Sequence, residues 1–170
     1  NRIAHAFMLT GVRGVGKTTT ARILARGLNF EPKPGSSAKP GPTVDLPELG
    51  EHCAAIMESR HVDVLEMDAA SRTGIDDIRE IIESVRYLPV SARYKVYIID
   101  EVHMLSKAAF NGLLKTLEEP PEHVKFIFAT TEIRKVPVTV LSRCQRFDLR
   151  RLKVEELIGL LSRVTQAEQA

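Results

Sequence analysis

The stretch Gly11-Val12-Arg13-Gly14-Val15-Gly16-Lys17-Thr18 constrains this chain more than any other feature. It follows a short apolar run, Ala6-Phe7-Met8-Leu9-Thr10, and it opens a segment with Ala21, Leu24, Ala25 and Leu28 at helical spacing. The order expected is therefore a buried strand, a glycine-rich turn from Gly11 to Gly16, and a helix from Lys17 to Leu28. Glycines in such a turn let backbone N–H groups face inward around phosphate oxygens, and the start of the helix adds the positive end of its dipole. Lys17 is placed to reach the β- and γ-phosphates, and the Thr18 hydroxyl to bind Mg²⁺. The bland alternative is a chance glycine-rich turn. Average residue usage makes such a match an event of about 1% in a chain of this length, and chance does not explain the flanking strand and helix. Gly11, Gly14, Val15, Gly16, Lys17, Thr18 and Thr19 are thus the candidate residues for holding ATP, with Mg²⁺ on Thr18.

Further along, Val62 to Met67 alternates like a strand, Ser71 to Gly74 reads as a turn, and Ile75 to Arg86 is amphipathic, with Ile78, Ile81, Ile82 and Val85 on one face. Lys95 to Ile99 and Val124 to Thr130 are apolar strands, and Gln145 to Leu149 is a weaker fifth. Ser106 caps a helix that stops before Pro120-Pro121. Leu49 to Ser59 and Val154 to Val164 read as further helices. The pattern predicts an α/β fold, a parallel five-stranded sheet with helices on both faces. Residues 1–150 form that domain, and 151–170 begin a further helical unit. Residues 30–48 stand apart as a loop, since Phe30 to Pro47 holds five prolines and two glycines. No internal repeat is visible.

Ligands on such sheets bind at the carboxyl ends of the strands, which is where the second motif lies. Val96-Tyr97-Ile98-Ile99 leads directly to Asp100-Glu101. Asp100 is the candidate to share Mg²⁺ with Thr18, and Glu101 the candidate to polarise the water that attacks the γ-phosphate. An acidic pair after a strand is commonplace alone; behind the glycine-rich turn it is expected. Thr130 and Thr131 end the next strand, either as hydroxyls capping it or as a polar group that senses the γ-phosphate. Arg143, in Ser142-Arg143-Cys144, is by default a solvated surface residue. In ring-forming ATPases an arginine is also presented to a neighbour's γ-phosphate.

Composition limits the partners. The chain has 170 residues, enough for one domain with a real core, and its net charge of +2 proves no nucleic-acid partner by itself. Tryptophan is absent and aromatics are scarce, which argues against a base-stacking platform. Cys53 and Cys144 are far apart, so a disulfide framework is not expected and a reducing, cytoplasmic setting is. No apolar run approaches the roughly 20 residues that span a bilayer, so no membrane partner is expected. The first residues lack both an initiator Met and the apolar core of a signal peptide, so the chain is expected to be a fragment.

Several of these segments together resemble the gamma/tau subunits of bacterial DNA polymerase III. They are Gly11 to Thr18, Val62 to Thr73 with Asp68-Ala69-Ala70-Ser71-Arg72-Thr73, Asp100 to Leu105, Asn111 to Pro121, and Leu141 to Cys144. The run Asn111-Gly112-Leu113-Leu114-Lys115-Thr116-Leu117-Glu118-Glu119-Pro120-Pro121 and the Ser142-Arg143-Cys144 tripeptide are far more specific than the glycine-rich turn. The resemblance spans nearly the whole chain except Glu31 to Glu51. It implies a P-loop domain of the AAA+ type followed by the start of a helical lid. It further implies an ATPase motor within a pentameric clamp loader, acting with delta, delta-prime and further gamma/tau copies to load the sliding clamp onto primed DNA. Arg143 would then act in trans, and Thr131 would be the first sensor.

The resemblance also bears on metal and DNA. Many relatives carry a four-cysteine zinc module after the first helix, whereas here Phe30 stands at the first ligand position and Cys53 at the last. A structural zinc needs four N or S donors, so no zinc is expected. Arg72, Thr73 and Arg79 lie around a helix start, where free N–H groups point outward. The family places this segment against DNA phosphates. Two rivals share part of the pattern. A Holliday-junction type of AAA+ motor fits the Ser142-Arg143-Cys144 tripeptide less well. A non-catalytic loader subunit such as delta-prime typically lacks the intact Lys17, Thr18, Asp100 and Glu101.

Overall fold

The computed structural model of the chain describes residues 3–46, 48–72 and 74–168. Five strands, β1 (Ala6–Thr10), β2 (Val64–Asp68), β3 (Lys95–Asp100), β4 (Val124–Thr130) and β5 (Gln145–Asp148), pair in parallel in the order β2-β3-β4-β1-β5. Successive side chains on a strand face opposite sides of the sheet, and here both sides are covered. On one side Met8, Tyr97, Ile99, Phe126 and Phe128 pack beneath α3 (Ile75–Ser84), α4 (Lys107–Glu118) and α5 (Val138–Leu141). On the other, Phe7, Leu9, Val96, Ile98, Ile127 and Ala129 pack against Ala21, Ala25 and Leu28 of α1 (Lys17–Leu28). That two-sided burial is why β1, β3 and β4 read as continuous apolar runs. Phe126 stacks between Tyr97 and Phe128, with centroids 5.4 and 5.6 Å away. Burying side chains of this size stabilises the fold by about 2–3 kcal/mol each.

Helices α3 and α4 approach closely at Gly112. A Cβ there would lie 3.2 Å from the Ile82 side chain and 3.4 Å from that of Ile75. Ser106 caps α4 by accepting the Ala109 N–H at 3.2 Å, as the sequence predicts.

Several boundaries differ from the sequence reading. The helix expected over Leu49 to Ser59 is only α2 (Cys53–Met57). The backbone before it is tied down, with the Glu51 N–H donating to the Glu31 carbonyl. Strand β2 begins at Val64, not Val62, because Asp63 turns inward. Its carboxylate is fully buried and accepts the backbone N–H groups of Val90, Ser91 and Ala92. Helix α3 ends at Ser84, not Arg86. The last helix, α6 (Val154–Ala167), runs past Val164, and none of its residues is buried.

The proline-rich stretch is a strap along the end of α1. Gly41 N–H donates to the Phe30 carbonyl at 3.0 Å, and Thr43 N–H to the Gly27 carbonyl at 2.9 Å. Phe30 is buried and packs against the Gly50 backbone. The carboxyl ends of β1, β3 and β4 therefore open on one side of the domain, away from this strap.

Candidate active site

The turn after β1 is held open by backbone conformations that only glycine adopts cheaply. Gly14 and Gly16 have φ of +79° and +96°. Gly11 is excluded from substitution by space as well, since a Cβ there would lie 2.7 Å from the Leu149 carbonyl oxygen. Lys17 is buried, and its ammonium donates to the carbonyls of Gly11 and Val12 at 2.9 and 3.0 Å. The lysine is thus folded over the glycine-rich turn.

Thr18, at the start of α1, donates its hydroxyl to Asp100 Oδ2 at 2.5 Å. The other Asp100 oxygen accepts the Glu101 N–H at 2.9 Å. A hydroxyl and a carboxylate from two different elements therefore share one point at the ends of β1 and β3. This is an oxygen-only donor set of the kind that suits Mg²⁺ bound beside phosphate. A cavity of about 410 Å³ lies over it, lined by Arg13, Gly14, Gly16, Lys17, Thr18, Thr19, Asp100 and Glu101.

Glu101 occupies the left-handed region, with φ 47° and ψ 43°. For a non-glycine residue that costs on the order of 1–2 kcal/mol, and such strain clusters at functional sites. The turn swings the carboxylate toward the end of β4. Its Oε2 accepts the Thr131 hydroxyl at 2.9 Å. Thr130 makes no hydrogen bond to Glu101; its hydroxyl instead meets His103 Nδ1 at 2.9 Å. Thr130 is fully buried, and its Oγ1 accepts the Glu132 N–H at 3.0 Å. Of the two threonines, Thr131 is the one that hydrogen-bonds Glu101, though it does not itself line the cavity over Thr18 and Asp100. A second cavity is lined by Val12, Arg13, Asp68, Ala70, Glu101 and Thr131, and shares Arg13 and Glu101 with the first.

Arg143 is not among the residues lining the phosphate-side cavity. It follows α5, pairs with Glu118 at 2.8 Å and donates to the Thr139 carbonyl at 2.6 Å. Cys144 beside it donates to the Val140 carbonyl, and burial pushes its thiol up to about 12. Arg72 is exposed next to the turn before α3, and Arg79 on α3 pairs with Asp76 at 2.7 Å. The first turn of α3 carries two carboxylates, Asp76 and Asp77, so the helix start is less open to phosphate than its N–H groups alone imply. Thr73 lies outside the described residues. His52 and His61, near Cys53, face each other with ring nitrogens 2.8 Å apart. Desolvation holds the His61 pKa below its ordinary value.

Sequence reasoning missed Arg13, Asp68 and His103. Asp68 is signalled only by pairing, since it stands in register with Asp100 across β2 and β3. Arg13 occupies a variable position of the glycine-rich turn and carries no pattern of its own.

The fold and this site define a P-loop nucleotide-binding domain of the AAA+ class. The family model described as "DNA polymerase III, delta subunit" matches residues 1–153. The chain is 52% identical over 98% of its length to the DNA polymerase III subunit tau of Escherichia coli K12, covering 25% of that protein. It is 48% identical over 99% of its length to the corresponding subunit of Bacillus subtilis 168, covering 28% of it. A crystal structure of a DNA polymerase III gamma subunit-related protein from Thermotoga maritima superposes with a TM-score of 0.64 at 25% identity, covering 89% of this chain and 43% of that one. The T. maritima RuvB Holliday junction branch migration motor superposes at 0.61 with 20% identity, over 100% of this chain and 45% of that one, and shows the fold alone. The chain belongs to the DNA polymerase III delta-subunit family and, within it, is of the gamma/tau type. It spans about a quarter of the length of these curated tau relatives.

Proposed function

We propose that this domain is the ATP-hydrolysing module of a bacterial clamp loader. The observation that carries the reading is the meeting of Thr18 and Asp100 at 2.5 Å beneath the glycine-rich turn, with Glu101 next in sequence and held by Thr131. The turn's N–H groups and Lys17 bind the phosphates, and Lys17 must leave its two carbonyl partners to do so. Thr18 and Asp100 would hold Mg²⁺, which neutralises charge on the β- and γ-phosphates. Glu101 orients the attacking water and takes its proton. Thr131 keeps that carboxylate in place and senses the γ-phosphate. Arg143 serves a neighbour's site, which accords with its position away from the cavity of its own chain.

In this reading ATP binding organises the loader around the sliding clamp and primed DNA, and hydrolysis releases them. The partners are delta, delta-prime and further gamma/tau copies in the cytoplasm. Arg72, Thr73 and Arg79 contact DNA phosphates. No zinc is bound, because His52 and His61 engage each other and the stretch from Phe30 to Cys53 supplies a single thiol.

The family description as a delta subunit favours a second reading, a non-catalytic member of the same loader. The intact set Lys17, Thr18, Asp100 and Glu101 argues for the first. ATP turnover by the full-length protein, with and without clamp and primed DNA, separates them. Stimulated turnover supports the motor; absence of nucleotide binding supports the stator.

A further inference from the structure

His103 sits in the 3₁₀ turn, Val102–Met104, that follows Glu101. Its side chain is 5% exposed. Nδ1 lies 2.9 Å from Thr130 Oγ1 and 3.3 Å from Glu101 Oε2. Nε2 lies 3.7 Å from Glu132 Oε1, and Glu132 in turn pairs with Lys135 at 2.7 Å. One ring therefore touches the turn carrying the acidic pair and the polar exit of β4. A buried histidine is often only a satisfied core residue, so the choice of partners has to decide. Nδ1 hydrogen-bonds the Thr130 hydroxyl, which can donate or accept, and lies beside a carboxylate oxygen, which only accepts, so an N–H at Nδ1 suits both neighbours and a lone pair suits one. The oxygen it faces, Oε2, is the one that also accepts from Thr131. The Thr131 hydroxyl and N–H both donate to Oε2, at 2.9 and 3.4 Å, with His103 Nδ1 3.3 Å from the same oxygen, and among the described residues no group hydrogen-bonds Oε1. That leaves Oε1 for the water.

We propose that His103 is a positioning residue for hydrolysis. Its Nδ1–H holds the strained Glu101 turn against the Thr130–Thr131 end of β4, so that the carboxylate stays aligned with the threonine beside the γ-phosphate. The proposal rests on the reading of the domain as an ATPase. A misplacement of about 1 Å can cost on the order of 10²-fold in rate, which is what the loss of such a brace would produce.

The test uses the full-length chain assembled into the loader. His103→Asn keeps a donor near the Nδ1 position, while His103→Gln moves it to the Nε2 position. The parent loader must first show ATP turnover that Lys17→Ala abolishes. If it does not, the ATPase reading fails and this proposal falls with it. Given that turnover, His103→Gln and His103→Ala should lower kcat by about 10-fold or more, with nucleotide affinity changed less than about 2-fold and a midpoint of unfolding close to that of His103→Asn. His103→Asn should recover most of the rate. Equal rates for Asn and Gln, or losses that track the midpoint of unfolding or nucleotide affinity, would overturn the proposal and return His103 to the core.

Discussion

Arg143 donates to Glu118 across 2.8 Å, joining the arginine after α5 to the last residue of α4. The two residues come from the two most distinctive segments of the sequence, 25 positions apart. Half-exposed pairs of this kind hold with only about 0–1 kcal/mol, so Glu118 can orient the guanidinium and still release it to a stronger anion.

That relationship sets the first prediction. Arg143→Ala in the assembled loader should lower ATP turnover by about 10³-fold or more, the range of arginine fingers elsewhere, and leave nucleotide affinity of its own site intact. Mixing Arg143→Ala chains with Lys17→Ala chains should restore part of the activity, because each supplies what the other lacks. Undiminished turnover in the Arg143→Ala loader would show that the arginine only stabilises the surface.

The DNA-facing residues give a second test. An Arg72→Ala, Arg79→Ala double variant in the full loader should keep basal ATPase and lose much of its stimulation by primed DNA. Each lost phosphate contact should reduce the salt slope of binding by roughly one unit. The Arg79 pairing with Asp76 and the two carboxylates in the first turn of α3 oppose this reading. A double variant that responds to DNA like the parent would make these arginines solvated surface charges.

Stability should depend on Asp63. Burial raises its pKa, but the backbone N–H groups of Val90, Ala92 and Ser91, with the Ser91 hydroxyl, outweigh burial and hold it below the usual value. A group depressed in the folded state stabilises above its unfolded pKa of about 3.9 and loses that contribution as pH falls through its folded value. Asp63→Asn should therefore cost about 1–3 kcal/mol at pH 7, seen as a lower unfolding midpoint. The gap to the parent should narrow below about pH 4. A gap independent of pH would assign the effect to packing.

Cys144 provides a chemical check on the packing around α5. With its pKa near 12, its thiolate fraction at pH 8 is lower than that of a free thiol by about 10³-fold. Native protein should resist alkylation at Cys144, and unfolded protein should react at both Cys53 and Cys144. Rapid native modification of Cys144, mapped by mass spectrometry, would show that this segment opens.

The sheet was legible because burial on both faces writes continuous apolar runs, and the meeting of Thr18 with Asp100 because the start of α1 and the end of β3 both lie at the carboxyl edge of a parallel sheet. Helix α5 was not legible. It is four residues long after Pro137 and has no periodicity to read. Strand β2 was set two residues early because Asp63 looked like a polar step in an alternating strand, whereas it caps a distant loop. His103 escaped because a lone histidine in an apolar context carries no pattern, and its partners Thr130 and Glu132 lie 27 and 29 positions away. The Arg143–Glu118 contact likewise belongs to the tertiary fold, though both residues were singled out by their motifs.

In the proposed mechanism Glu101 drives hydrolysis at a site built by Lys17, Thr18 and Asp100. The most direct measurement is single-turnover ATP hydrolysis by the full loader carrying Glu101→Gln, with ATP affinity measured in parallel. Affinity should stay within about 3-fold of the parent while the rate falls by about 10²–10⁴-fold, the contribution of a general base. Parent-like hydrolysis with Glu101→Gln would contradict this mechanism.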